Sequence, residues 1–384
     1  MNRLYGCLLL VALAAGTVGA AGAEGMARPP LVIAEQGQFR VGGRPVELPE
    51  GTIVAGAMHV EYQVPAELKH PYPLVFIHGG ASDGSSFWST PDGREGWATL
   101  FLRKGYAVYV VDRPTLGRSP HYEPVDGPKL MPPFAMPAPK DGAAPPPVKL
   151  ATRFPGKRVA GDPAYEQELR RRHSTIELPF GSPRDPLEVS TYVDRIDRDA
   201  GAALLDRLGP AILVTHSRGG TTGWQVADAR PGLVKAIVAV EPNGPPFYNA
   251  PPLGGGGEPV ARPFGLTYAP VAYTPPVGGV EDFGPLRQEP APSADKIGCW
   301  VPTGAPRLLT NLAAVPIMVL TGASSYHAAY DHCTAAFLRR SGVSVDHLEL
   351  EKLGIEGNTH GLLTETNNQE IADLVYDWLR KQGM

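Results

Sequence analysis

Five short runs in this chain are apolar at every position: residues 74–77, 107–111, 211–214, 236–240 and 317–320. A strand with one wet face alternates apolar and polar side chains. A run without alternation is buried on both faces, which is the condition of a parallel sheet covered by helices. Two other segments, residues 37–41 and 60–64, do alternate with period two. They fit antiparallel strands at an N-terminal edge. A last strand is expected around residues 347–350, followed by a helix over 369–381 whose Ile371, Leu374, Val375 and Leu379 form one apolar stripe. Strands alternating with helices predict an α/β fold, a mostly parallel doubly wound sheet with antiparallel strands at one edge.

Two stretches break this rhythm, at about 120–190 and 242–305. They concentrate the chain's prolines, and the second also carries the glycine run Gly254 to Gly257. Both leave from C-terminal ends of strands, where open α/β sheets bind ligands. They are expected to form a cap or lid over a site, with passive decoration as the other possibility.

The N-terminus reads as an address. Arg3 precedes an apolar stretch from Cys7 to Ala15, and Ala21, Gly22 and Ala23 supply small residues at a cleavage spacing. Residues 1–23 are thus expected to be a signal peptide rather than a membrane span, which needs about 20 apolar residues. An uncleaved anchor is the alternative. The folded domain is expected over 24–384, secreted or periplasmic, with no stable membrane association after cleavage. Of the 3 cysteines, Cys299 and Cys333 remain outside the signal, an even pair in an oxidising compartment. A disulfide between them is expected, two separate buried thiols being the other reading. A formal net charge of −4 gives no reason to expect nucleic acid or an anionic membrane as partner. No Cys or His cluster has metal-ligand spacing, and neither metal nor organic cofactor is expected.

The segment Thr215-His216-Ser217-Arg218-Gly219 lies between the buried run 211–214 and a helical stretch. A sharp strand–turn–helix with serine at its apex lifts the hydroxyl above the sheet, and the next amide points at the oxyanion formed by attack on a carbonyl. Thr215 stands where the G-x-S-x-G pattern has its first glycine.

His78-Gly79-Gly80 after one strand, Asp112 to Ser119 after the next, the Ser217 turn and Asn358-Thr359-His360-Gly361 near the end follow one another in an order that resembles the α/β-hydrolase superfamily, over roughly residues 30–384. Within it the chain resembles a group of secreted bacterial serine esterases whose triad acid follows the strand after the nucleophile. This resemblance implies a base in the loop between the last strand and the last helix, where His360 sits. In most of the superfamily the acid follows the strand that is here 317–320, but the next residues, Thr321 to Tyr326, hold no carboxylate. One strand earlier, 236–240 runs straight into Glu241-Pro242-Asn243-Gly244. A glutamate at the end of a buried strand is costly without a partner. Glu241 is therefore assigned as the acid that orients His360, with Asp331 as the fallback. His327 and His332 stand too far ahead of the last strand, and His347 lies within it.

Oxyanion donors are expected from the backbone amides of Gly80 and Arg218, glycine leaving its amide unobstructed. His78 and the Asp112 to Ser119 loop read as structural braces. Phe87, Trp88 and Trp300 are candidate pocket walls, or simply core. The expected activity is carboxylic ester hydrolysis of a small-molecule substrate by a Ser-His-Glu acyl-enzyme route. Alternatives are an amidase, thioesterase or lyase variant of the same site, or a catalytically silent ligand-binding protein on the same fold.

Overall fold

Strand β1 (Ile33–Leu48) and strand β2 (Gly51–Pro65) form a long antiparallel hairpin at one edge of an eight-stranded sheet. β2 pairs antiparallel with β4 (Val108–Asp112), and from there every pairing is parallel. The order continues through β3 (Leu74–Ile77), β5 (Ala211–His216), β6 (Val234–Val240), β9 (Ile317–Thr321) and β10 (Val345–Glu349). A separate short pair joins β7 (Leu286–Gln288) to β8 (Trp300–Pro302). This computed structural model describes residues 29–130, 149–177, 184–250 and 260–384. The expected signal peptide and parts of both Pro/Gly-rich stretches lie outside the described residues. Val32–Met384 form one unit, and it is the unit described below.

Alternation along β3 shows how the sheet is covered. Val75 and Ile77 join a core with Leu204, Leu205 and Trp224, from α5 (Pro186–Leu208) and α6 (Gly219–Ala229). Phe76, pointing the other way, packs on Phe87 of α1 (Ser85–Trp88) and Phe101 of α2 (Trp97–Arg103). The C-terminal helix α8 (Asn368–Lys381) packs against α2, burying Ile371, Val375 and Leu379.

The two irregular stretches contain more order than their composition suggests. Stretch 120–190 holds α3 (Glu123–Asp126), α4 (Pro163–Arg170) and the first turn of α5, whose Asp185 cap accepts hydrogen bonds from the Leu187 and Glu188 amides. Stretch 242–305 contributes Phe247, Phe264, Leu266, Tyr273 and Phe283 to the main core. Its aromatic residues have no helical or strand period, so periodicity could not reveal their burial.

Parallel register fixes where chemistry can occur. Ile77 stands opposite Thr215, Thr215 opposite Ala239, and Val240 opposite Leu320. The C-terminal ends of β3, β5, β6 and β9 therefore finish side by side.

Candidate active site

Ser217 sits between β5 and α6 with φ +54°, a left-handed conformation that costs a non-glycine residue about 1–3 kcal/mol. The turn demands close approach on both sides. A Cβ on Gly219 would lie 2.6 Å from the carbonyl oxygens of Ile77 and His78, and a Cβ on Gly79 would lie 2.9 Å from the Ser217 Cβ. Only glycine lets the elbow seat against the end of β3. The same construction brings Gly80 beside the residue after the serine: a Cβ there would be 3.7 Å from the Arg218 Cβ.

His360 lies on the loop before α8. Its Nδ1 is 2.6 Å from Glu241 Oε2, and its carbonyl accepts a hydrogen bond from His216 Nε2 at 2.9 Å. The second contact ties the histidine loop to the residue preceding Ser217. Glu241 is wholly buried and has φ +45°, a second left-handed residue at a strand end. Its other bonds come from the Gly322 amide to Oε1 at 2.7 Å and the Ser325 hydroxyl to Oε2 at 2.7 Å. Three donors converge on one buried carboxyl. Burial, with the nearby Asp331 charge, pushes the Glu241 pKa up to about 8 against the His327 charge and the Gly322 and Ser325 hydrogen bonds. Burial also holds His360 well below the usual imidazole range, reinforced by the charge of His327. A neutral imidazole is the form that can accept a proton.

Asp331 does not contact His360 in the described structure. It is buried at the start of α7 (Asp331–Arg340), bonded to His327 Nδ1 at 2.9 Å and to the Thr321 hydroxyl at 2.8 Å. His327 stacks flat on His360, ring centroids 4.6 Å apart and planes 2° from parallel. Sequence separation sets His327 aside, but the turn Tyr326–Ala329 after β9 folds back over His360.

His78 accepts a bond from the Arg113 amide at Nε2 (2.9 Å) and pairs through Nδ1 with the Gly79 carbonyl (2.7 Å). Burial and the Arg113 charge push its pKa down to about 4. It braces the loop as a neutral ring. Asp112 does the same on the next loop, accepting from the Gly84 amide and from Arg118. Arg218 turns its guanidinium away onto Asp194 Oδ1 at 2.7 Å, and Asp194 Oδ2 accepts the Tyr268 and Ala269 amides. This ion pair anchors the second irregular stretch to the elbow.

Of the candidate pocket walls, Phe87 is buried against Phe76 as core. Trp88 is half-buried beside it in α1. Trp300 packs on Tyr248 with centroids 4.5 Å apart. These three do not form one wall together with Ser217 in any described contact. Cys299 and Cys333 are joined in a disulfide. Among the described residues, the one His/Cys/carboxylate cluster close enough to hold an ion that does not include this bonded pair is Glu241, His327 and His360, which is the site itself.

Several positioning groups carried no sequence signal: His216, Ser325 and Glu365. Glu365 accepts from the Asn358 side chain and from the Thr359 amide and hydroxyl, fixing the turn that carries His360. Residues 149–158 cross the same loop, with the Thr152 amide on the Gly357 carbonyl and the Thr366 amide on the Arg153 carbonyl.

An eight-stranded sheet with its elbow serine, a histidine loop before the last helix and a buried carboxyl at a strand end defines a hydrolase-type site on a doubly wound fold. Comparison agrees. Residues 74–374 match the family model described as "Alpha/beta hydrolase family". A probable secreted lipase from a fungal species (strain ATCC 74256) is 37% identical over 335 residues, spanning 85% of this chain and 86% of that protein. The solved structure of a novel bacterial esterase superposes with a TM-score of 0.56, at 22% identity, over 94% of this chain and 100% of that one. The chain belongs to the α/β-hydrolase family.

Proposed function

We propose that this protein is a secreted serine hydrolase that cleaves carboxylic esters by an acyl-enzyme route. The observation that carries the reading is the 2.6 Å contact of His360 with a buried Glu241, on a loop bonded to the residue before a left-handed Ser217. His360 takes the Ser217 proton as the hydroxyl attacks the ester carbonyl, and Glu241 fixes the tautomer that leaves Nε2 free to accept it. The amides of Gly80 and Arg218 hold the tetrahedral oxyanion. His360 returns the proton to the departing alcohol. Water, deprotonated by the same ring, then releases the acid and restores Ser217. Export and ester chemistry are supported by the 37% identical secreted lipase. Among the described residues no helix is long and apolar enough to cross a membrane.

The test is direct. An alkyl fluorophosphonate should add covalently to Ser217, located by mass spectrometry, and abolish hydrolysis of an activated ester. Ser217→Ala should remain folded and lose kcat by about 10⁶, as in well-studied triads. A variant retaining a tenth of the activity would remove Ser217 from the mechanism. Absence of labelling with retained ligand binding would favour the silent-binder alternative.

A further inference from the structure

Asp331 and His327 form a second buried acid–histidine pair directly against the first. The His327 ring is 2% exposed and Asp331 is fully buried. Asp331 Oδ1 lies 2.9 Å from His327 Nδ1, while Oδ2 accepts the Thr321 hydroxyl. The His327 amide is bonded to Ser325 Oγ, the hydroxyl that donates to Glu241. One nitrogen of His327, one of His360 and one oxygen of Glu241 all lie within 4.8 Å of each other. Such a pair lies outside the proton route from Ser217 through His360 to Glu241.

We propose that His327, held by Asp331 and stacked flat on His360, is a positioning residue whose positive charge disfavours a second proton on His360 and so extends the acid side of the pH range over which His360 can act as base. The inference rests on the Ser217–His360–Glu241 reading.

Charges around His327 decide the sign. Burial disfavours the charged ring, but the charge and hydrogen bond of Asp331 on α7, with Glu241 at the end of β6, outweigh it and raise its pKa. On the other sides stand His360 and His216, held neutral by burial. Tyr326 and Tyr330, whose rings pack on it, have their phenols pushed above the ordinary range and add no charge. His347 reaches the group only through Thr321 and Asp331. Among the three rings packed here, His327 is therefore the one that takes a proton most readily. Once charged, it stands face to face with His360 at 4.6 Å, so a second imidazolium there is disfavoured. The same charge attracts Glu241 and opposes the pull of burial toward a neutral carboxyl.

The experiment is the pH profile of kcat/KM for an activated ester. His327→Gln keeps a donor for Asp331 and removes the charge. The acid limb of the profile, which reports His360, should move to higher pH by about one unit or more, tenfold in proton affinity. KM should change little, since His327 is buried beneath the triad. An unmoved acid limb overturns the proposal, whatever the loss in rate, because a purely structural residue would lower the plateau without shifting the limb. Should the variant fail to fold, ¹⁵N-histidine NMR of the unaltered protein answers instead. A solvent-shielded imidazole hydrogen-bonded to a carboxylate through Nδ1 should stay doubly protonated to higher pH than the exposed rings. Finding no such shielded ring doubly protonated at about pH 7 would overturn it. Fluorophosphonate labelling of Ser217, run alongside, separates the two readings: no label condemns the triad, while the NMR result still judges His327.

Discussion

At the scale of single residues, which carboxyl serves His360 in the proposed mechanism is the sharpest question. Both carboxyls considered from sequence are buried, each holds a histidine, and the two histidines stack on each other. Geometry assigns them different partners: Glu241 reaches His360, and Asp331 reaches His327. Neutralising Glu241 by Glu241→Gln should lower kcat by about 10³–10⁴, the scale for a neutralised triad acid. Asp331→Asn should instead cost stability, about 1–3 kcal/mol for leaving buried partners poorly matched, and lower kcat by about tenfold or less. Steady-state rates and denaturant midpoints for both variants decide it. A crippled Asp331→Asn beside a working Glu241→Gln would exchange the roles. The sequence made Glu241 legible because a charged residue closing an all-apolar strand needs a partner. Nothing in the sequence disclosed the stack of His327 on His360, because a turn that folds back after β9 has no periodic signature.

At the scale of elements, the strands were readable and the loops that aim the chemistry were not. Continuous apolar runs located β3, β4, β5, β6 and β9, since burial on both faces leaves that mark. The hairpin β1–β2 is far longer than its alternating segments suggest, because Gly42 and Gly43 take positive φ within it and interrupt the pattern. The His360 loop shows the limit most clearly. Its shape depends on Glu365, a 1% exposed carboxylate that accepts three groups of residues 358–359 and lies 3.9 Å from Arg158. Glu365→Gln retains the size but replaces an acceptor oxygen by a donor facing other donors. Loosening this turn should lower kcat by about 10²-fold through misplacement of His360, while KM changes less. The kcat and KM values for one ester check it, and an unchanged kcat would mean the turn is held by residues 149–158 alone.

At the scale of the whole molecule, the cross-link and the second irregular stretch act on the same side of the site. The disulfide joins Cys299, ahead of β8, to Cys333 in α7, two residues beyond Asp331. Next to it, the Ile297 amide bonds to the Ala329 carbonyl, and Lys296 reaches both the Ala328 carbonyl and Glu349 of β10. The segment carrying His327 is thus fastened from outside the sheet by covalent and ionic ties. A sequence separation of 34 sets the closed loop. Chain-entropy reasoning then gives about 3–4 kcal/mol of stabilisation, acting on the unfolded chain. The double variant Cys299→Ser, Cys333→Ser should accordingly unfold at lower denaturant, with the free energy of unfolding reduced by that amount, and adding a reductant should no longer lower its midpoint. The unaltered protein should lose a similar amount under reducing conditions. A loss below about 1 kcal/mol in both experiments would mean that the packing of Phe247, Phe264 and Phe283 already holds this stretch in place without the bond.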